Sequence, residues 1–468
     1  MTVTDDHIVL GEPLLARIGA QGDRSGIRVF VVGGFVRDLL LGRSVKDIDI
    51  LVMGDGVAFA REFARDAGGL TVVPFERFGT AMVHAGESKV EFVGARKESY
   101  APDSRNPAVS AGSLEDDLSR RDFTVNAMAV ALNADAAGAL HDPFDGRRDL
   151  EARVLRTPLD PDATFADDPL RIMRALRLSS QLQFSVAPIT LDAVGRMRER
   201  LAIVSQERIS EEFFKILRSP APSVGLRLMY DTGVLHGVFP EIAQMAGVDQ
   251  RRDHHHKDVF LHTCTVVDNV ARVSDNVWLR FASLVHDIAK PRTKAFKEGM
   301  GWTFHGHEEM GARMMKKIFH RLKLPSEHLA YVEKLVRLHL RPMALVDSEV
   351  TDSAVRRLVF ESGNDVDDLM ILCRADITSK NATLVARYLR NYDIVIQKIA
   401  EVEERDRLRN WQPPVKGDEI MAICGLEPGK NVGKLKKAIE EAILDGKIPN
   451  EHDAALAYLL SVKESILD

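Results

Sequence analysis

The chain has 468 residues, 45% hydrophobic and 28% charged, with a formal net charge of −6; this is globular composition, too long for one core. No apolar run reaches membrane-spanning length, the N-terminus is acidic and polar rather than signal-like, and Cys264, Cys373 and Cys424 lie far apart, so a cytoplasmic protein with free thiols is expected. The acidic balance argues against indiscriminate DNA coating but leaves room for a local basic stripe that binds RNA.

Residues 28–32 (RVFVV) predict a short strand, followed by Gly33-Gly34, a helix over 35–41 and a strand over 47–52 (DIDILV). Strand side chains alternate faces, so Asp47 and Asp49 point the same way, an oxygen-rich pair suited to magnesium. The two glycines let backbone N–H groups approach a phosphate closely, and Arg37 adds a fixed positive charge. A helix over 59–67 and strands over 70–73, 81–84 and 89–93 complete a mixed α/β pattern that runs to about residue 150. Glu91 sits at the centre of the last of these strands, where an acid among apolar residues is costly without a partner. Glu98 lies beyond it as a weaker candidate.

The charged run 114–127 (LEDDLSRRDFTVNA) continues into an apolar segment, and 142–150 (DPFDGRRDL) reads as a turn. From Pro169 onward, 3.6-residue apolar periodicity dominates to the C-terminus. Asp168 precedes Pro169 at a helix start, and Arg171, Arg174 and Arg177 share one stripe of that helix. Three arginines on one stripe repel each other unless something anionic lies against them. The tail carries Lys434, Lys436 and Lys437 on one helix, plausible RNA-backbone contacts balanced by Glu440 and Glu441. The expected fold is α+β: a mixed-sheet head over 1–158, a helical region over 159–247, a second helical domain over 248–400 and a helical tail over 401–468.

The complete string 33–49 (GGFVRDLLLGRSVKDID) resembles motif A of the polymerase-β-like nucleotidyltransferases, in their class II tRNA nucleotidyltransferase and bacterial poly(A) polymerase branch. The resemblance implies that Asp47, Asp49 and Glu91 hold Mg2+ and that Gly33, Gly34 and Arg37 bind the triphosphate. The run RRDFTVNA resembles motif B, implying that Arg121 contacts the nucleotide and Asp122 helps recognise the sugar. Residues 142–150 match motif C, with Asp145 and Gly146 structural. Residues 167–177 resemble motif D, usually E-D-x-x-R, with Asp167 in place of glutamate. By that likeness Asp168 and Arg171 read the base, while Arg174 and Arg177 hold the nucleotide. Glu207-Arg208-Ile209 resembles motif E, a packing element.

His262, His286-Asp287 and Asp376 follow the H…HD…D order of the HD phosphohydrolases, and His305, His307 and His339 fall where larger HD sites draw further ligands. Imidazole and carboxylate donors together favour nickel, manganese, cobalt or iron. His254, His255 and His256 read as a polar loop. Motif order throughout is similar to that of bacterial CCA-adding enzymes with a fused HD domain. That similarity implies magnesium-dependent addition of CTP and ATP to the tRNA 3′ end, with no membrane and no evident protein partner. Poly(A) polymerase, CC-only or A-only addition shares these motifs, and an HD phosphohydrolase with an RNA-binding head is the alternative from another class.

Overall fold

Strands β1 (Val29–Val32), β2 (Asp47–Val52), β3 (Val72–Phe75), β4 (Thr80–Ala85) and β5 (Ser88–Gly94) form most of the head's sheet in the computed structural model. The ribbon β6 (Arg96–Ser99) and β7 (Ala108–Ala111) pairs separately, while β8 (Ala129–Ala131) and β9 (Leu140–His141) complete the sheet. The structure describes residues 7–45, 47–76, 79–99, 108–248, 258–298, 301–346, 351–379, 381–406 and 413–467. It divides into two units, Met1–Val238 and Phe239–Asp468.

The seven-stranded order is β3-β4-β5-β2-β1-β8-β9. Only β2 and β5 run parallel; every other neighbouring pair is antiparallel. One face buries Ile48, Ile50, Val90 and Phe92. The helix Gly56–Asp66 lies over it, with Phe59 and Phe63 meeting the Phe92 ring at 5.7 and 5.6 Å. Asp55 caps that helix by accepting from Val57 N and Ala58 N at 2.9 and 3.0 Å. Gly56 is needed for the close approach, because a Cβ there would lie 2.6 Å from Gly94 N. The opposite face buries Phe30, Val32, Leu51, Ala129 and Ala131 beneath Leu118, leaving the N-terminal end of β2 open.

Strand β2 has the predicted bounds, and the helix expected over 35–41 is Gly34–Leu40, one residue earlier, preceded by an unanticipated helix, Pro13–Ser25. Motif C is a correction: Gly146–Ala152 is a helix, with Asp142 accepting from Gly146 N and Arg147 N at 2.7 and 2.8 Å. Its DPFDG opening has turn composition because it is a cap. The rest of the first unit is helical, as the 3.6-residue pattern requires, including Leu170–Leu182 and Gln206–Leu217. The short parallel pair Val154–Leu155 and Ser185–Val186 was not anticipated.

Among its described residues, the second unit is helical apart from the paired strands Ala295–Lys297 and Gly301–Thr303. Its C-terminal helices Gly417–Cys424, Lys430–Leu444 and His452–Leu467 enclose their own core around Leu435, Ile439 and Leu459. Arg357 ties this module to the helix Asp352–Ser362 through Glu441 and Asp445 at 2.5 and 2.6 Å. Lys434, Lys436 and Lys437 are exposed. Among the described residues no helix is long and apolar enough to cross a membrane.

Candidate functional site

Parallel register sets Asp49 opposite Glu91 and Asp47 opposite Lys89, so the three acids share one face of the sheet. Glu91 faces Met82 on its other side, which makes β5 an interior strand rather than an edge. Asp47 is exposed, while Asp49 and Glu91 are half-buried. Burial pushes the Asp49 carboxyl above its usual range, Arg121 pulls it back and Asp47 pushes it up again. Burial also raises Glu91, with Asp49 adding to the rise and a hydrogen bond from Thr80 opposing it. Three mutually repelling carboxylates with all-oxygen donors on one open face fit a hard divalent cation.

Gly33 shapes the rim of this face. Its φ of 75° and ψ of −136° suit glycine alone, and a Cβ would fall 2.8 Å from Arg121 Nη1 and 3.5 Å from Asp49 Oδ2. The Arg121 guanidinium therefore lies over the glycine and beside the carboxylates. It is anchored by Asp117, fully buried, which accepts from Arg121 Nη2 at 3.0 Å and from Arg120 Nε at 3.0 Å. Ser113 starts the supporting helix Leu114–Ser119 with a capping box. Gly34 packs against the Arg37 guanidinium, which donates to Asp38 Oδ1 and Oδ2 at 2.9 and 2.6 Å and to Asn126 Oδ1 at 2.7 Å.

Asp122 is buried, and four protein donors fill its carboxylate. Phe123 N and Asn126 Nδ2 reach Oδ1 at 2.9 Å each; Arg174 Nε and Nη2 reach Oδ2 at 2.7 and 2.5 Å. Burial alone would raise this carboxyl, but Arg174 and these hydrogen bonds hold it well below the usual range. Asp122 in turn raises Arg174. Arg177 Nε lies 3.1 Å from Glu212 Oε2, and Arg171 donates to the Arg120 and Thr164 carbonyls at 2.6 and 3.3 Å. Asp168 accepts from Leu170 N at 3.2 Å. The anions that the arginine stripe demands are thus, in part, the protein's own Asp122 and Glu212. Sequence reasoning passed over Asp117, Asn126 and Glu212. Only Asp117 carried a local signal, its three- and four-residue spacing to Arg120 and Arg121.

In the second unit, two ligand-like triads form around Asp287: His262, His286 and Asp376, and Asp287, His307 and His339. Asp287 spans both, with Oδ2 at 3.2 Å from His286 Nε2 and 3.7 Å from His262 Nε2, and Oδ1 at 3.3 and 3.8 Å from His307 and His339 Nε2. Asp376 Oδ1 lies 2.8 Å from His262 Nε2. Each imidazole is turned inward by its other nitrogen. Nδ1 of His286, His307 and His339 meets the carbonyls of Ser283, Phe304 and Val336 at 2.7 Å, and Nδ1 of His262 meets Thr378 Oγ1 at 2.8 Å.

Burial would depress His286, yet Asp287 and Asp376 carry it up to about 10, whereas burial and neighbouring His286 take His339 down to about 3. His286 Nε2 and Asp287 Oδ1 are buried without a hydrogen bond of normal geometry. Orphaned buried donor atoms amid imidazoles and carboxylates fit transition-metal ligation, and Asp287 has one carboxylate oxygen toward each triad. Lys290 Nζ donates to Asp287 Oδ2 at 2.6 Å. His305 is exposed and belongs to neither triad. The Glu98 side chain and His254, His255 and His256 lie outside the described residues.

The chain matches the families described as "Poly A polymerase head domain" over residues 29–156, "Probable RNA and SrmB-binding site of polymerase A" over 183–245 and "HD domain" over 259–381. It is 33% identical to an A-adding tRNA nucleotidyltransferase of Deinococcus radiodurans, across 91% of this chain and 93% of that one. It is 36% identical to a multifunctional CCA protein of Methylococcus capsulatus, across 75% and 81%. Among solved structures, a tRNA nucleotidyltransferase complexed with a primer tRNA and an incoming ATP analog superposes with a TM-score of 0.60 at 25% identity, covering 82% of this chain and 99% of the other.

Proposed function

The chain belongs to the tRNA nucleotidyltransferase family, and we propose that it builds the 3′-terminal CCA of tRNA from CTP and ATP, releasing pyrophosphate. The observation that carries this is the β2–β5 register, which sets Asp49 against Glu91 with Asp47 on the same face beside Gly33 and Arg121. Asp47, Asp49 and Glu91 would hold magnesium, which supplies Lewis-acid activation of the RNA 3′-hydroxyl and charge relief at the phosphates.

The remaining residues bind and orient. Gly33 leaves room for the Arg121 guanidinium over the backbone, where Arg121, locked by Asp117, is offered to phosphate oxygens. Arg37 is held by Asp38 and Asn126, so its charge is aimed before the nucleotide arrives. Asp122 positions Arg174 through the paired bonds to Nε and Nη2. Asp168 and Arg171 present a carboxylate acceptor and guanidinium donors for a base edge, and the carbonyls of Arg120 and Thr164 fix the Arg171 plane.

In the second unit, His262, His286, Asp287, Asp376, His307 and His339 would hold one or two transition-metal ions. Lys290 beside Asp287 gives a phosphoester its cationic partner, and the centre would hydrolyse cyclic or 2′-phosphates.

The test uses tRNA transcripts ending before the first C, after C and after CC, each with CTP, ATP or both, and sequencing of the products. Ordered C, C, A addition is expected. A second reading, addition of A alone, is favoured by the A-adding relative that spans nearly the whole chain. Incorporation confined to the CC-ending transcript would establish it, and an untemplated run of A would replace both.

A further inference from the structure

The hairpin Ala295–Lys297 and Gly301–Thr303 is rooted at both ends in the second unit's metal-ligand cluster. Its first strand follows the helix Lys290–Thr293, whose Lys290 Nζ donates to Asp287 Oδ2 at 2.6 Å. Its second strand runs through Phe304 into His307, whose Nδ1 meets the Phe304 carbonyl at 2.7 Å. Antiparallel register sets Phe296 opposite Trp302, so both side chains leave one face, and their rings meet edge-on at 5.2 Å. Both rings are partly exposed, Phe296 47% and Trp302 40%.

Cations interleave with these rings. Lys290 Nζ lies 5.7 Å from the Phe304 centroid and Lys294 Nζ 4.5 Å from the Trp302 centroid. Arg292, Lys297 and His305 are exposed nearby in the chain, against the exposed acid Glu298. Lys290 thus touches both Asp287 and the Phe304 ring, while Lys294 lies over Trp302, whose ring meets Phe296. A cross-strand aromatic pair contributes only modestly to a two-stranded ribbon, so the exposed rings are not explained by hairpin stability. Exposed aromatic faces interleaved with cations are what single-stranded nucleic acid uses, bases stacking on rings while phosphates meet the cations.

We propose that this hairpin is a base-stacking platform for the metal centre. It holds the nucleobase of a nucleotide or RNA 3′ end whose phosphate lies at Asp287 and Lys290, and so selects nucleoside phosphates over other phosphoesters. The proposal rests on the reading of the centre as a phosphoester-hydrolysing site.

The test uses the full chain with Trp278→Phe and Trp411→Phe, which leaves Trp302 as its one tryptophan. Fluorescence is followed during titration with a single-stranded trinucleotide ending in a 2′-phosphate, a 2′,3′-cyclic mononucleotide and inorganic phosphate. Saturable quenching by the nucleotides and none by phosphate is expected. Quenching by the mononucleotide assigns a single nucleoside to the platform; quenching by the trinucleotide alone assigns a strand. In the native background, Trp302→Ala and Phe296→Ala should each lower kcat/KM for nucleotide hydrolysis about ten-fold or more, and Trp302→Phe should restore most of it. Hydrolysis without quenching, or an unchanged kcat/KM in both alanine variants, overturns the platform. Quenching without hydrolysis keeps the platform and overturns the hydrolytic reading instead. A dimer that dissociates on Trp302→Ala, seen by sedimentation, would make this face an interface between copies and also overturn the proposal.

Discussion

Replacing Asp122 with asparagine keeps the side chain's shape and removes its charge. The two bonds from Phe123 N and Asn126 Nδ2 to Oδ1 survive, but an amide now faces Arg174 where Oδ2 accepted from Nε and Nη2 at 2.7 and 2.5 Å. Charge-assisted hydrogen bonds contribute about 1.5–3 kcal/mol each. The Arg174 side chain is 37% exposed against 5% for Asp122, so the arginine regains water for part of that loss. A destabilisation of about 2–4 kcal/mol follows, or roughly 5–15 °C in the unfolding of the 1–238 unit. Asp122→Ala should cost more, because it also strands two buried donors at about 1–3 kcal/mol each.

The pH dependence has a definite sign. Arg174 holds the Asp122 carboxyl below its ordinary value in the folded state. Its contribution is therefore complete above the unfolded value of about 3.9 and is lost as pH falls below that. The stability gap between the native chain and Asp122→Asn should be flat from about pH 5 to 8 and close below about pH 4. Thermal melts across that range, with nucleotide KM measured in parallel, make the assay. Unchanged melting with altered discrimination between ribose and deoxyribose would refute the argument, since Asp122 would then act on the sugar directly rather than through Arg174.

Asp47→Ala or Asp49→Ala should abolish nucleotide addition in single-turnover assays while melting remains cooperative, because several kcal/mol of transition-state stabilisation depend on the ligand pair. Gly33→Ala should lower kcat/KM for nucleotide roughly ten- to hundred-fold, since its φ of 75° costs an alanine about 1–3 kcal/mol and the new Cβ displaces Arg121. Asp287→Ala should eliminate hydrolysis of cyclic or 2′-phosphates and the metal content found by elemental analysis, with nucleotide addition near that of the native chain. Chelator treatment should lower the stability of the 239–468 unit with the logarithm of metal concentration over Kd, by about 2.7 kcal/mol for an ion present at a hundred times its Kd.

Local order was legible in the sequence wherever a side chain's direction follows from the period of its own element. The two-residue alternation of DIDILV places Asp47 and Asp49 on one face, and strand β2 has the predicted bounds. The three-residue steps of Arg171, Arg174 and Arg177 likewise belong to one helix, Leu170–Leu182. What these residues meet was decided by tertiary structure. Glu91 faces Asp49 only because β5 pairs parallel to β2 in one register, and a one-residue slip would turn its side chain to the other face. Arg174 finds Asp122 and Arg177 finds Glu212 across long stretches of chain, so the stripe that suggested a bound anion is already answered in part by the protein. In the second unit, His286, His307 and His339 are each aimed by a carbonyl three residues back in their own segment, but that their Nε2 atoms and His262, held by Thr378 Oγ1 116 residues away, converge on Asp287 follows from how those segments pack. Periodicity is a property of one segment, whereas a partner is chosen by which segments pack together, and that choice rests on the burial of the whole core.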